Sequence, residues 1–220
     1  MSGFHFGRRL ARKFVGGAVP ASNGFNFVWH DSQSERVLLL LHGTGGDEHD
    51  LVEIGRTVAP GWSLLGVRGK VSENGANRYF RRFAEGVFDE KDLAERTAEL
   101  ASWLAEPNHP WHAKPLVAFG YSNGANMAAS LLLTGTGTLA GAVMLRPMVP
   151  SSPIPGLDLY GIKTQVQVGS ADQICPPEDG ARLVTLLQQA GAEATLLTFD
   201  SGHNLTQADI LAAQHFLNGM

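Results

Sequence analysis

Leu116-Val117-Ala118-Phe119-Gly120-Tyr121-Ser122-Asn123-Gly124-Ala125-Asn126-Met127 decides the fold of this chain. An apolar run long enough for a buried strand passes through one Gly-x-Ser-x-Gly unit into an Ala-rich stretch that suits a helix. A serine caught in a strand-to-helix turn is the setting of a nucleophile elbow, where a strained backbone lifts the hydroxyl above the sheet. Gly120 and Gly124 are then required, because a Cβ at either position would strike the crossing strand or helix. The five-residue pattern is common by chance in a chain with 26 glycines. Its strand and helix flanks are what give it meaning.

Working outward, further apolar runs match strands at Phe25–Trp29, Val37–Leu41, Ser63–Val67, Ala140–Leu145, Thr164–Val168 and Ala194–Phe199. Most are continuous rather than alternating, which marks strands covered on both faces in a parallel sheet. Helical spacing lies between them. Leu93, Thr97, Leu100 and Leu104 form one stripe, with Asp89 or Asp92 to cap it and Pro107 to end it. Leu183, Leu186, Leu187 and Ala190 form a second, and Ile210, Ala213 and Leu217 a third, while a helix over Asp47–Ala59 ends at Pro60-Gly61. Alternating units of this kind predict an α/β fold, a doubly wound and mostly parallel sheet flanked by helices. Ligands bind such sheets beyond the C-terminal ends of the strands, so the residues just after each strand are the ones to inspect.

Four segments pass that inspection. Ser122 needs a base to take its proton. Among the 8 histidines, His203 stands after the last strand in Ser201-Gly202-His203-Asn204; His5, His30, His49, His109, His112 and His215 are poorly placed. An imidazole acting as base needs a carboxylate on its far nitrogen. Asp172, after the next-to-last strand, fits best, with Glu178 and Asp179 as rivals that read as first-turn acids of a helix. The order Ser, Asp, His suits this fold. Oxyanion donors are expected from the backbone N–H of Asn123 and from the Gly-rich run His42-Gly43-Thr44-Gly45-Gly46, where Thr44 is the candidate.

Composition removes several classes. The 220 residues carry a net charge of −4 and a pI near 6.0, with no basic cluster interleaved with aromatics, so nucleic acid is an unfavourable partner. The longest apolar run is Val37–Leu41, far short of the ~20 residues of a membrane span. Cys175, the single cysteine, cannot form an intramolecular disulfide and has no ligand-spaced neighbour, so no metal is expected and a cytoplasmic location is the simplest reading. Residues 1–22 read as an N-terminal extension, and residues 23–220 as a single domain without an internal linker.

Several segments resemble the small carboxylesterase/phospholipase branch of the α/β-hydrolase superfamily, which includes the acyl-protein thioesterases. They are Leu40 to Glu48, Gly75 to Arg82, Glu85 to Asp89, Gly120 to Asn126 and Gly202 to Leu205. The likeness runs from about residue 25 to residue 217, and together the segments resemble bacterial members described as carboxylesterases. It implies a cofactor-free enzyme acting on a small-molecule ester, with no large cap domain. The thioesterases of the group resemble Gly-Leu-Gly-Asp and Ser-Gln-Gly where this chain has Gly-Thr-Gly-Gly and Ser-Asn-Gly. A thioesterase or lysophospholipase is the alternative activity, and a noncatalytic ligand-binding module the alternative class. Pairing into a homodimer is left open.

Arg68 to Asp89 is expected to be a long loop bordering the pocket. Arg78, Arg81 and Arg82 are candidates to attract a substrate carboxylate, against the alternative of surface pairing with Glu73, Glu85 or Asp89. Phe83 and Met148, with Tyr79 and Phe80, are candidate pocket-lining residues, against the alternative of packing. Trp103 and Trp111 look structural.

Overall fold

The computed structural model describes residues 24–136 and 139–220. The expected extension over residues 1–22 lies outside them. A seven-stranded sheet forms the centre, built from β1 (Phe27–His30), β2 (Val37–Leu41), β3 (Ser63–Val67), β8 (Leu116–Tyr121), β9 (Leu139–Leu145), β10 (Lys163–Gly169) and β11 (Glu193–Phe199). Its order is β1-β3-β2-β8-β9-β10-β11. All neighbours run parallel except β1, which lies antiparallel to β3. The sheet is flanked by α1 (Val52–Val58), α2 (Glu90–Leu104), α3 (Asn123–Leu133), α4 (Pro177–Gln189) and α5 (Gln207–Asn218).

The run Val37-Leu38-Leu39-Leu40-Leu41 explains why the sheet has two covered faces. All five residues are buried. Successive strand side chains point to opposite faces, so Val37, Leu39 and Leu41 enter one core with α2, α3 and α4. Leu38 and Leu40 enter the other, with α1 and α5. Full burial of one such leucine contributes about 1.5–3 kcal/mol, which makes this strand the anchor of both layers.

Two expectations need correction. The helix expected over Asp47–Ala59 begins only at Val52, because the Asp47 side chain accepts the His49 N–H at 2.8 Å and holds a turn instead. Arg68 to Asp89 is not an unstructured loop. It folds into two antiparallel hairpins, β4 (Val71–Glu73) with β5 (Ala76–Arg78) and β6 (Arg82–Ala84) with β7 (Val87–Phe88). Asn74 and Gly75 turn the first with φ of 52° and 85°, as an Asn-Gly hairpin requires.

Caps fix the helices nearest the site. Asp89 receives the Asp92 N–H at the start of α2, and Thr206 with Asp209 closes a capping box on α5. Trp103 and Trp111 are buried beside Phe25 and Phe27 in an aromatic cluster. Among the described residues, no helix is long and apolar enough to cross a membrane.

Candidate active site

The turn from β8 into α3 holds Ser122 at φ 52° and ψ −112°, a backbone conformation that residues other than glycine rarely adopt. Its crowding is visible at the flanking glycines. A Cβ on Gly120 would lie 2.6 Å from the Gly124 carbonyl oxygen, and one on Gly124 would lie 2.0 Å from that of Leu41. The helix can approach β8 and β2 this closely only because both positions lack side chains.

The loops after β10 and β11 bring two further groups to the serine. His203 Nε2 lies 3.0 Å from Ser122 Oγ, and His203 Nδ1 lies 2.8 Å from Asp172 Oδ2. A carboxylate can only accept, so the proton resides on Nδ1 and Nε2 is left to accept from the hydroxyl. Asp172 is buried, and its Oδ1 takes the N–H groups of Ile174 and Cys175 at 2.9 Å each. The rivals are elsewhere: Glu178 and Asp179 occupy the first turn of α4, and Asp179 accepts from Arg182.

The histidine loop is itself braced by a residue that carries no motif. Arg146 follows β9 at φ 55° and is 0% exposed. Its Nε donates to Gly202 O at 3.0 Å, and its Nη2 to Ser201 Oγ at 3.0 Å and Asn204 O at 3.3 Å. Both terminal nitrogens meet the Asp209 carboxylate, at 2.7 and 3.0 Å. The loop on either side of His203 is therefore fastened to a buried ion pair, and that pair is continuous with the cap of α5.

A second network fixes the Gly-rich run after β2. His42 Nδ1 donates to Gly43 O at 2.6 Å, and His42 Nε2 accepts the Gly69 N–H at 3.0 Å. The His42 N–H reaches Tyr79 Oη at 3.1 Å, and that hydroxyl donates to Val67 O at 2.5 Å. The Gly45 N–H donates to Asn77 O at 2.9 Å, and the Tyr79 N–H to Asn123 Oδ1 at 2.7 Å. The first hairpin thus ties the run carrying Thr44 to the helix start carrying Asn123. His42 and Tyr79 were not expected in this role, since their partners lie across the fold. Tyr79 is a buried strut rather than pocket lining.

Burial lowers the pKa of His42, and the Gly69 N–H aimed at Nε2 leaves no room for a second proton. The unfolded chain therefore takes up a proton below its ordinary value of about 6.5 while the folded chain does not. Stability must rise with pH from the lowered folded value up to about 6.5. The urea midpoint is expected to increase from pH 5 to pH 7, with a shallower slope in His42→Gln; an equal slope would assign the effect to His30 and His109, also lowered by burial.

These groups surround a cavity of about 290 Å³ lined by Thr44, Arg78, Tyr121, Ser122, Asn123, Met148 and His203 among others. Four of the candidates are not there, Tyr79 being the strut just described. Arg81 is on the surface with Asp89 and Asp92, and Phe83 is 76% exposed on the second hairpin. Phe80 turns into the core against Phe88. Arg82, a candidate from the sequence, does line the cavity, and Phe88 and Ile174 join it there. The ligand-type atoms of Asp172, Cys175 and His203 lie within 4.8 Å of one another. Asp172 and His203 are already engaged with each other, however, and burial pushes the Cys175 thiol up to about 12, which opposes the thiolate that metal binding needs.

No family model matches the chain. Over 191 residues it is 44% identical to MhqD of Bacillus subtilis (strain 168), a hydrolase by name, covering 86% of this chain and 96% of that one. The chain belongs to the small α/β-hydrolase carboxylesterase family. Within this family, the Bacillus cereus carboxylesterase superposes with a TM-score of 0.84 at 40% identity, covering 90% of this chain and 95% of that one. YahD, solved with malic acid, gives 0.82 at 33% identity, covering 89% and 99%.

Proposed function

We propose that the protein is a serine carboxylesterase that hydrolyses small carboxylic esters through an acyl-enzyme. The observation that carries this reading is the unbroken chain from Ser122 Oγ through His203 to Asp172, at 3.0 and 2.8 Å. Ser122 attacks the ester carbonyl while His203 Nε2 takes its proton, and Asp172 stabilises the resulting imidazolium. The oxyanion that forms is met by the N–H groups of Thr44 and Asn123, neither of which donates to another backbone group among the described residues. One such donor contributes about 2.7–4 kcal/mol in the transition state. His203 then returns the proton to the departing alkoxide. Water, deprotonated by the same imidazole, releases the acid and restores the serine.

Cavity size supports a small substrate, since 290 Å³ is at the lower end of ligand pockets. The test has two arms. A fluorophosphonate is expected to label Ser122 and no other serine; an unlabelled protein would favour a noncatalytic binding module. Asp172→Asn is expected to lower kcat about 10³- to 10⁴-fold, because the amide stabilises the wrong imidazole tautomer. Asp179→Asn is expected to do little, and the opposite ranking would move the acid to α4.

A further inference from the structure

The fold separates the three arginines between Arg78 and Arg82. Arg81 is held outside by Asp89 and Asp92. Arg82 lines the cavity half-buried, with Nε 3.0 Å from Glu73 Oε1. Arg78 lines it from within and is only 3% exposed. Its Nε donates to Phe80 O at 3.2 Å and its Nη1 to Thr44 Oγ1 at 2.7 Å. Nη2 has no hydrogen-bond partner among the described residues, and it is not one of the sealed-off polar atoms.

The charges at this wall do not balance. Glu73 lies 3.3 Å from Arg78 and also serves Arg82, so one carboxylate faces two guanidinium groups. Glu85, the acid that lines the cavity itself, is exposed and screened by water. Burial, followed by repulsion from Arg82, lowers the pKa of Arg78 more than Glu73 raises it, as expected of a cation short of counter-charge. Keeping such a charge buried is costly unless something pairs with it. The forked edge of a guanidinium suits a carboxylate, which can accept two parallel bonds. Through Thr44, this edge adjoins the proposed oxyanion donor, so its ligand would sit close to the reacting carbonyl.

We infer that the preferred substrates are esters carrying a second, free carboxylate within a few carbon atoms of the scissile carbonyl, received by Arg78. This rests on the esterase reading above and narrows it.

The experiment compares charged esters with uncharged esters of the same shape, following acid release at constant pH. Monomethyl succinate against methyl 4-methylpentanoate places the charge on the acyl side. O-Acetyllactate against 3-methylbutan-2-yl acetate places it on the alcohol side. Wild-type kcat/KM is expected to favour the charged member of at least one pair by tenfold or more. That ratio should fall towards one in Arg78→Met and be partly kept in Arg78→Lys. Should Arg78→Met not fold, the wild-type ratios still decide, together with competitive inhibition of neutral-ester hydrolysis by free succinate. Ratios of one or less in both pairs, with neutral esters turned over, would overturn the carboxylate preference and leave the esterase intact. So would a preference unchanged in folded Arg78→Met. No turnover of any ester and no fluorophosphonate label would overturn both.

Discussion

Ser122→Ala is expected to lower ester hydrolysis at least 10⁴-fold and to abolish fluorophosphonate labelling, while the fold and its unfolding midpoint stay nearly unchanged. The size of the loss follows from the mechanism, since without Oγ there is no acyl-enzyme and His203 has no proton to accept. The near-neutral stability follows from the backbone. Alanine keeps a Cβ at φ 52°, so whatever strain the turn stores in the wild type is stored in the variant too. Ser122→Gly should be equally inactive yet more stable, by about 1 kcal/mol, because only glycine adopts positive φ without steric cost. Measuring both variants separates the roles of the position. Turnover retained by either would remove the serine mechanism. Equal stability of the two would show that the elbow carries no strain.

Arg146→Met is expected to be the most destabilising single change outside the hydrophobic core. The arginine and Asp209 are each 0% exposed, and removing one partner of a buried pair costs about 3–5 kcal/mol because the other charge stays buried. Asp209 Oδ2 would keep the N–H and hydroxyl of Thr206, but Oδ1 would lose its bond from Arg146. Denaturant unfolding should register the loss, and the double variant Arg146→Met/Asp209→Leu should recover part of it. A cost under about 1 kcal/mol for the single change would mean that the pair is dispensable. Activity should fall as well, with kcat reduced more than KM is raised, since Gly202, Ser201 and Asn204 lose the group that braces the His203 loop.

Much of this architecture can be read from the sequence because burial leaves a one-dimensional trace. Continuous runs such as Val37–Leu41 announce two-sided strands, and the order of strands and helices then implies a parallel sheet with Ser122, Asp172 and His203 at the same edge. Strand direction leaves no such trace, so the antiparallel edge at Phe27–His30 shows only in the fold itself. The hairpins within residues 68–89 did carry a signal, the pair Asn74-Gly75, but strands of two or three residues are too short for alternation to stand out. Adjacent arginines are indistinguishable in sequence. Only the register that pairs Val71 with Arg78 settles which of them turns inward. Arg146 and His42 depend on partners 56 and 27 residues away, a separation that no local pattern records.

The three groups of the proposed triad stand at residues 122, 172 and 203, after β8, β10 and β11, and β11 forms the outer edge of the sheet. A complete site therefore requires the segment after β10, whose strand β11 pairs with β10 alone, to be docked against the rest of the sheet. During renaturation, returning catalysis would act as a clock for that docking and lag behind the bulk of the helical circular dichroism, since four of the five helices precede β11.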